Sequence, residues 1–220
     1  MPEKPLSIVV LVSGSGSNLQ AIIDTLRDES VNAEIKAVIS NKENALGLER
    51  ARKAGIRDIF IDHTVFTDRL SFDQVMMHEI DKYGPDLIIL AGFMRILSNE
   101  FVTHYSGKLI NIHPSLLPNF KGLNTHQRAL DAKHKKAGAS VHFVTNELDG
   151  GPVIAQSEVA VIENDTAESL RLRVLEQEHF IYPEVTKWFA EQRIKLNDNV
   201  VYFDQQALEK PILLSKSNQV

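Results

Sequence analysis

Short apolar runs alternate with segments whose apolar residues recur at helical spacing, and this alternation restricts the fold more than any other feature. Ile8–Val12, Ile35–Ser40, Arg57–Ile61, Leu87–Ala91 and Leu109–His113 read as strands. Between them, Asn18–Leu26 carries Leu19, Ile22, Ile23 and Leu26 at helical spacing. Ala45–Ala54 and Asn99–Tyr105 are also helical in pattern, and Ser71–Tyr83 places Phe72, Val75, Met76 and Ile80 on one face. Strands with apolar residues at every position need both faces covered, which is the condition of a parallel sheet built from βαβ units.

After residue 135 the pattern changes. "GASVHFVTNELDGGPVIAQSEVAV" reads as two strands joined by a Gly-Gly-Pro turn, and so as an antiparallel pair. A long helix follows from Thr166 to about Gln192, with Thr166 and Ser169 as its start signal and Pro183 expected to bend or break it. "NVVYFDQQAL" suggests a small hairpin, and "SKSNQV" a frayed end. The expectation is an α/β fold: a Rossmann-like, mostly parallel central sheet flanked by helices, with an antiparallel extension in the C-terminal half. No linker composition, repeat or low-complexity segment divides the 220 residues, so one domain is expected over 1–220.

Composition sets the outer bounds. Hydrophobic residues make up 43% and charged residues 24%, enough for a sizeable core. With no cysteine, a disulfide framework and thiolate metal sites are excluded, which fits a reducing compartment. The apolar run near the N-terminus spans only Ile8 to Val12, too short for a signal peptide or a membrane span. A soluble, cytoplasmic protein is expected. The net charge of −5 argues against nucleic acid as the main partner, though an anionic small molecule still suits a local pocket.

In an open parallel sheet, ligands bind outside the carboxyl ends of the strands. Three stretches fall there. "SGSGSNLQAII" follows the first strand, where Gly14 and Gly16 permit unusual backbone angles and the loop enters a helix, a ready phosphate site. Its spacing is neither the dinucleotide fingerprint nor the P-loop, so neither a nicotinamide cofactor nor ATP is indicated. The plainer alternative is a strand-to-helix turn capped by Ser17 or Asn18. "LAGFMRIL" keeps Met94, Ile96 and Leu97 apolar past the fourth strand, either to wall a flat heterocycle or to pack beneath a helix.

"KLINIHPSLLP" is the third. Side chains alternate along a strand, so Leu109, Asn111 and His113 share one face and Ile110 and Ile112 the other. Asn offers a neutral N–H donor and His a proton that moves near neutral pH, a pair suited to an oxyanion developing on an attacked carbonyl. A structural histidine at a strand end is the alternative. Asp149 in "NELDGGP" is either a carboxylate partner that favours the imidazolium or the start of a turn. The eight histidines, His104, His113, His126 and His134 among them, show no paired metal-ligand spacing, and no nucleophile elbow is present. No metal is expected.

"NIHPSLLP" with the later "LDGGP" resembles the folate-dependent formyltransferases. The stretches "VLVSGSGSNLQAII", "SNKENALGLERARKAGI", "LAGFMRIL", "VHFVTNELDGGPVIAQ" and "QEHFIYPEV" carry the likeness in order over about residues 6–205. They are most similar to the branch that formylates glycinamide ribonucleotide. The resemblance implies the formyltransferase fold and direct transfer of a formyl group from the cosubstrate 10-formyltetrahydrofolate to the amine of glycinamide ribonucleotide, a step of purine biosynthesis. It assigns Asn111, His113 and Asp149 to catalysis. Gly16, Ser17, Asn18, Arg69 and Glu178 then contact the ribonucleotide. Met94, Arg95, Ile96 and Leu97 wall the folate on one side, and Thr145, Asn146, Glu147 and Leu148 on the other. It also implies a nucleotide- and phosphate-binding half at about 6–105 and a folate-binding, catalytic half at about 106–205.

"LLPNFKGLNTH" departs from the pattern, with Lys121 and Asn124 where some members have Pro and His, and altered loop contacts are expected there. Formyltetrahydrofolate deformylase and methionyl-tRNA formyltransferase are rivals. They carry an extra N-terminal domain and a C-terminal nucleic-acid-binding barrel, neither expected between a first strand at Ile8 and an end at Val220. A non-catalytic nucleotide-binding module is a third reading, opposed by the joint presence of Asn111, His113 and Asp149.

Overall fold

The computed structural model describes residues 4–28 and 30–215. Its main sheet has eight strands. They are β1 (Leu6–Val12), β2 (Ala33–Ser40), β3 (Arg57–Phe60), β4 (Leu87–Leu90), β5 (Leu109–His113), β6 (Lys136–Phe143), β7 (Val153–Ala160) and β11 (Ile212–Leu213). They lie in the order β11-β7-β6-β5-β4-β1-β2-β3. From β3 to β5 every pairing is parallel, whereas β6 runs antiparallel to both β5 and β7. The order reverses between β1 and β4, which opens a crevice at the carboxyl ends of those strands. The loops after β1, β4 and β5 all leave from that edge. It is the edge on which the sequence places its three candidate stretches.

Alternation along the strands divides the core in two. Ile8, Val10, Val12, Ile110 and Ile112 face helices α1 (Ser17–Leu26), α2 (Leu46–Lys53) and α6 (Ala167–Ala190). Val9, Leu11, Ile88, Leu90 and Leu109 face α3 (Arg69–Asp81) and α4 (Asn99–His104). Leu109 thus lies opposite Ile110 and Ile112, and Asn111 and His113 follow it onto the α3 and α4 side.

Several elements differ from expectation. On α3, Val75 is 44% exposed, while Asp73 and Met77 are buried beside Phe72, Met76 and Ile80. The buried face turns toward residue 73 because the Asp73 carboxylate accepts from the Ser98 N–H at 2.6 Å. Helix α6 runs uninterrupted through Pro183. Ile181, Tyr182, Pro183 and Val185 are all buried, and the Tyr182 carbonyl accepts from the Thr186 hydroxyl at 2.8 Å. This packing supports the helix where the proline removes a donor. A short helix, α5 (Thr125–Asp131), occupies a stretch the sequence left as loop. In the tail, β8 (Ile194–Asn197), β9 (Val200–Phe203) and β10 (Gln206–Ala207) form a separate antiparallel sheet, one strand more than a hairpin, and β11 joins β7. Apart from Ser215, the stretch expected to fray lies outside the described residues. Among the described residues no helix is long and apolar enough to cross a membrane.

Candidate active site

The loop after β1 enters α1 through Gly16, which is the N-cap residue at φ 65° with no side-chain cap. Neither Ser17 nor Asn18 caps the helix, so that alternative falls. Among the described residues the first N–H groups of α1 have no side-chain acceptor, as an anion site requires. A Cβ on Gly16 would stand 2.6 Å from the Gly47 Cα, so close approach of α2 and positive φ both select glycine. Beside the loop lies an open hollow lined by Ser13, Gly14, Ser15, Lys42 and Asn44.

Asn18 and Glu178 are both buried, and Asn18 Nδ2 donates to Glu178 Oε2 at 2.7 Å. Burial pushes the Glu178 carboxyl above its ordinary range, against the Asn18 bond and the nearby Arg171, which favour its charge. Asn18 Oδ1 is buried without a partner. The contact carries α6 to the first turn of α1, where the helix dipole favours a carboxylate.

Arg69 is exposed at the first position of α3 and makes no hydrogen bond or ion pair among the described residues. Burial raises the Asp73 carboxyl, while the Ser98 N–H and then Arg95 and Arg69 favour its charged form. Both arginines therefore act on one buried carboxylate between α3 and the loop after β4. In that loop Met94 is 71% exposed and Ile96 is also exposed, whereas Leu97 is buried in the core facing α3 and α4. Leu97 thus packs in the core, and Met94 and Ile96 present apolar surface beside it. The Met94 N–H donates to Ser13 Oγ at 2.8 Å, and that hydroxyl donates to Asn41 Oδ1 at 2.6 Å, tying this loop to the one after β1. The Arg95 guanidinium lies 4.8 Å from the Phe72 ring centroid, with Nε buried and unpartnered.

Asn111, His113 and Asp149 come together at the end of β5. His113 is 5% exposed, with Nδ1 3.4 Å from Asp149 Oδ2 and Nε2 2.9 Å from the Phe120 carbonyl. Both ring nitrogens face acceptors. Asp149 adopts φ 48°, and its Oδ2 also accepts from the Gly122 N–H at 2.8 Å. The second glycine of "LDGGP" is required by contact, since a Cβ on Gly151 would meet the Phe143 carbonyl at 1.9 Å.

Thr145, Asn146, Glu147 and Leu148 form the loop before Asp149, with Leu148 exposed. Lys121, one of the two departing residues, pairs with Glu147 at 2.7 Å and so joins this loop to the one after β5. Asn124, the other, has φ 57° and serves as the N-cap of α5. His142 is a neighbour that the sequence did not single out: its Nε2 lies 3.2 Å from Asn111 Nδ2 and 3.7 Å from Asp149 Oδ1. The register pairs Asn111 with His142 directly across β5 and β6, which puts the two side chains on one face. Among the described residues no group of three or more His, Cys, Asp or Glu could hold a metal ion.

A half-buried amide beside a buried imidazole and carboxylate side chain, at the carboxyl edge of a Rossmann-like sheet and next to an uncapped helix start, is an arrangement suited to acyl transfer. The formyl transferase family model matches residues 6–186, and the chain belongs to that family. It is 52% identical to phosphoribosylglycinamide formyltransferase of Escherichia coli over 203 residues, which cover 92% of this chain and 96% of that one. It is 45% identical to the enzyme of the same name from Haemophilus influenzae, with the same coverage. The solved phosphoribosylglycinamide formyltransferase of Coxiella burnetii, in complex with CHES, superposes with a TM-score of 0.92 at 50% identity, covering 96% of this chain and 100% of that one.

Proposed function

We propose that this chain transfers the formyl group of 10-formyltetrahydrofolate to the amine of glycinamide ribonucleotide, giving formylglycinamide ribonucleotide and tetrahydrofolate in de novo purine biosynthesis. The observation that carries the proposal is the meeting of Asn111, His113 and Asp149 at the ligand edge, in a chain whose relatives bear that activity in their names. The substrate amine attacks the formyl carbon, and the carbonyl oxygen becomes an oxyanion. Asn111 and His113 donate to that oxygen, and Asp149 holds the His113 ring through Nδ1. The attacking nitrogen gives up one proton, and the oxyanion collapses back to a carbonyl as the bond from the formyl carbon to the folate nitrogen breaks. That nitrogen takes up a proton, so one proton passes in net from the amine to the folate nitrogen. His113 is the acid for this step, with Nε2 exchanging the Phe120 carbonyl for the substrate.

Gly16, Ser17 and Asn18 hold the phosphate, and Arg69 and Glu178 contact the ribonucleotide. The apolar surfaces of Met94, Ile96 and Leu148 suit a flat heterocycle, and the unpartnered Arg95 Nε is a donor for an acceptor upon it. Thr145 to Glu147 complete the opposite wall. In this reading residues of about 6–105 supply the phosphate loop and one folate wall. The catalytic trio and the other wall come from about 106–205. The partners are these two small molecules rather than nucleic acid or membrane, and the location is cytoplasmic. The test is to incubate the chain with both substrates and follow the mass of the ribonucleotide. Gain of one formyl group is expected; an unchanged mass with folded protein would overturn the proposal.

A further inference from the structure

We propose that His142 is a positioning residue for the transfer: it fixes the rotation of the Asn111 amide so that an N–H, not the carbonyl oxygen, faces the developing oxyanion. The inference rests on the reading of Asn111 as an oxyanion donor. It concerns a residue that neither periodicity nor spacing marks.

His142 Nδ1 lies 2.8 Å from the Phe143 carbonyl, which can only accept, so the ring proton sits on Nδ1. Nε2 is then a lone-pair acceptor, and the Asn111 group 3.2 Å from it is Nδ2. His142 is 2% exposed. Burial holds it below the usual histidine range, and this outweighs the Phe143 carbonyl and Asp149, which favour the charged form. The neutral ring has a second consequence. Asp149 Oδ1, 3.7 Å from Nε2, faces a lone pair and gains nothing by turning toward it, so Asp149 stays with His113 and the Gly122 N–H.

An amide has two N–H bonds and one carbonyl. With one N–H given to His142 Nε2, the other remains for the substrate oxygen. Without His142, no other hydrogen bond among the described residues distinguishes the two ends of Asn111, and the flipped amide would present its oxygen to the oxyanion. Electrostatic donors of this kind are worth roughly a hundredfold to a thousandfold in turnover.

Two conservative variants separate positioning from support of the fold. In His142→Gln, Oε1 takes the place of Nε2 and keeps an acceptor for Asn111 while releasing the Phe143 carbonyl. In His142→Asn, Nδ2 takes the place of Nδ1 and keeps the Phe143 bond while withdrawing the acceptor. The measurement is kcat and both KM values for each variant, for Asn111→Ala and for the double variant His142→Asn/Asn111→Ala. His142→Asn is expected to lose at least tenfold in kcat with both KM values within threefold. His142→Gln should keep most of the turnover, and the double variant should be no slower than Asn111→Ala alone. The reverse order, with Asn active and Gln inactive, would make His142 structural and overturn the inference, as would additive losses in the double variant. Wild-type turnover in Asn111→Ala is a different failure, of the donor reading itself. An unfolded Gln variant would also overturn the inference, because it would place the weight of His142 on the Phe143 bond.

Discussion

His113 Nδ1 and Asp149 Oδ2 stand 3.4 Å apart with both side chains buried, one at the end of a parallel strand and the other in the turn after an antiparallel one. Two chain segments of opposite direction are needed to make this contact. The site therefore forms only once β6 has paired with β5.

Replacing the imidazole removes the proton donor and leaves the core intact. His113→Ala is expected to lower turnover a hundredfold or more, the scale of losing a positioned acid–base group. Steady-state rates beside a thermal unfolding curve check it. Near-normal turnover in a folded variant would contradict the assigned role.

At the phosphate loop, the backbone rather than a side chain is the sensitive element. Gly16→Ala introduces a Cβ at positive φ and within 2.6 Å of Gly47. The positive φ alone costs about 1–2 kcal/mol. The expected outcome is a lower unfolding midpoint and a KM raised at least tenfold for the ribonucleotide, with the folate KM little changed. Equal rises in both would contradict a loop dedicated to the ribonucleotide.

Glu178 gives a stability profile with a definite sign. Burial raises its carboxyl above the ordinary value of 4.5, so its favourable contribution is fully present below that value and is lost as pH rises through the folded-state pKa. Glu178→Gln keeps an acceptor for Asn18 and cannot ionise. The variant is expected to match the wild type in unfolding midpoint at pH 4 and to exceed it at pH 8, while binding the ribonucleotide more weakly. An advantage at pH 4 that vanished at pH 8 would be the wrong sign.

Tyr182 links two strands to α6. Its buried hydroxyl donates to the Leu90 carbonyl at 3.0 Å and the Ile110 carbonyl at 3.2 Å, bridging the adjacent strands β4 and β5. Tyr182→Phe leaves those carbonyls without this donor and should cost about 1–3 kcal/mol. Denaturant midpoints at constant m-value measure it; no change would mean that the bridge contributes nothing.

Much of this molecule can be read in its sequence, for reasons of period. The span of β5 was legible because Leu109 to His113 is short, alternates and stops at Pro114, and the same alternation put Asn111 and His113 on one face. The edge they share followed from parallel topology, and their company with Asp149 from the family likeness. Val75 was misread because helical spacing cannot foresee a buried carboxylate such as Asp73, whose reason for burial lies on another segment. Helix α5 was hidden by Gly122 and Asn124 immediately before it, residues that signal a turn. Two-residue β11 has no pattern of its own. His142 was missed because a histidine in "VHF" looks like an interruption of an apolar strand. The Gly-Gly-Pro turn fixes only the register of β6 against β7, whereas the pairing that sets His142 opposite Asn111 spans the long connection from β5 to β6, which carries no register signal.

In the proposed reaction the formyl group leaves the folate only for the ribonucleotide amine. The direct measurement is the absorbance change that accompanies tetrahydrofolate release from 10-formyltetrahydrofolate, with and without glycinamide ribonucleotide. Release that requires the ribonucleotide, mole for mole, is the predicted result. Release at the same rate without it would mean water is the acceptor, and the transferase account would be wrong.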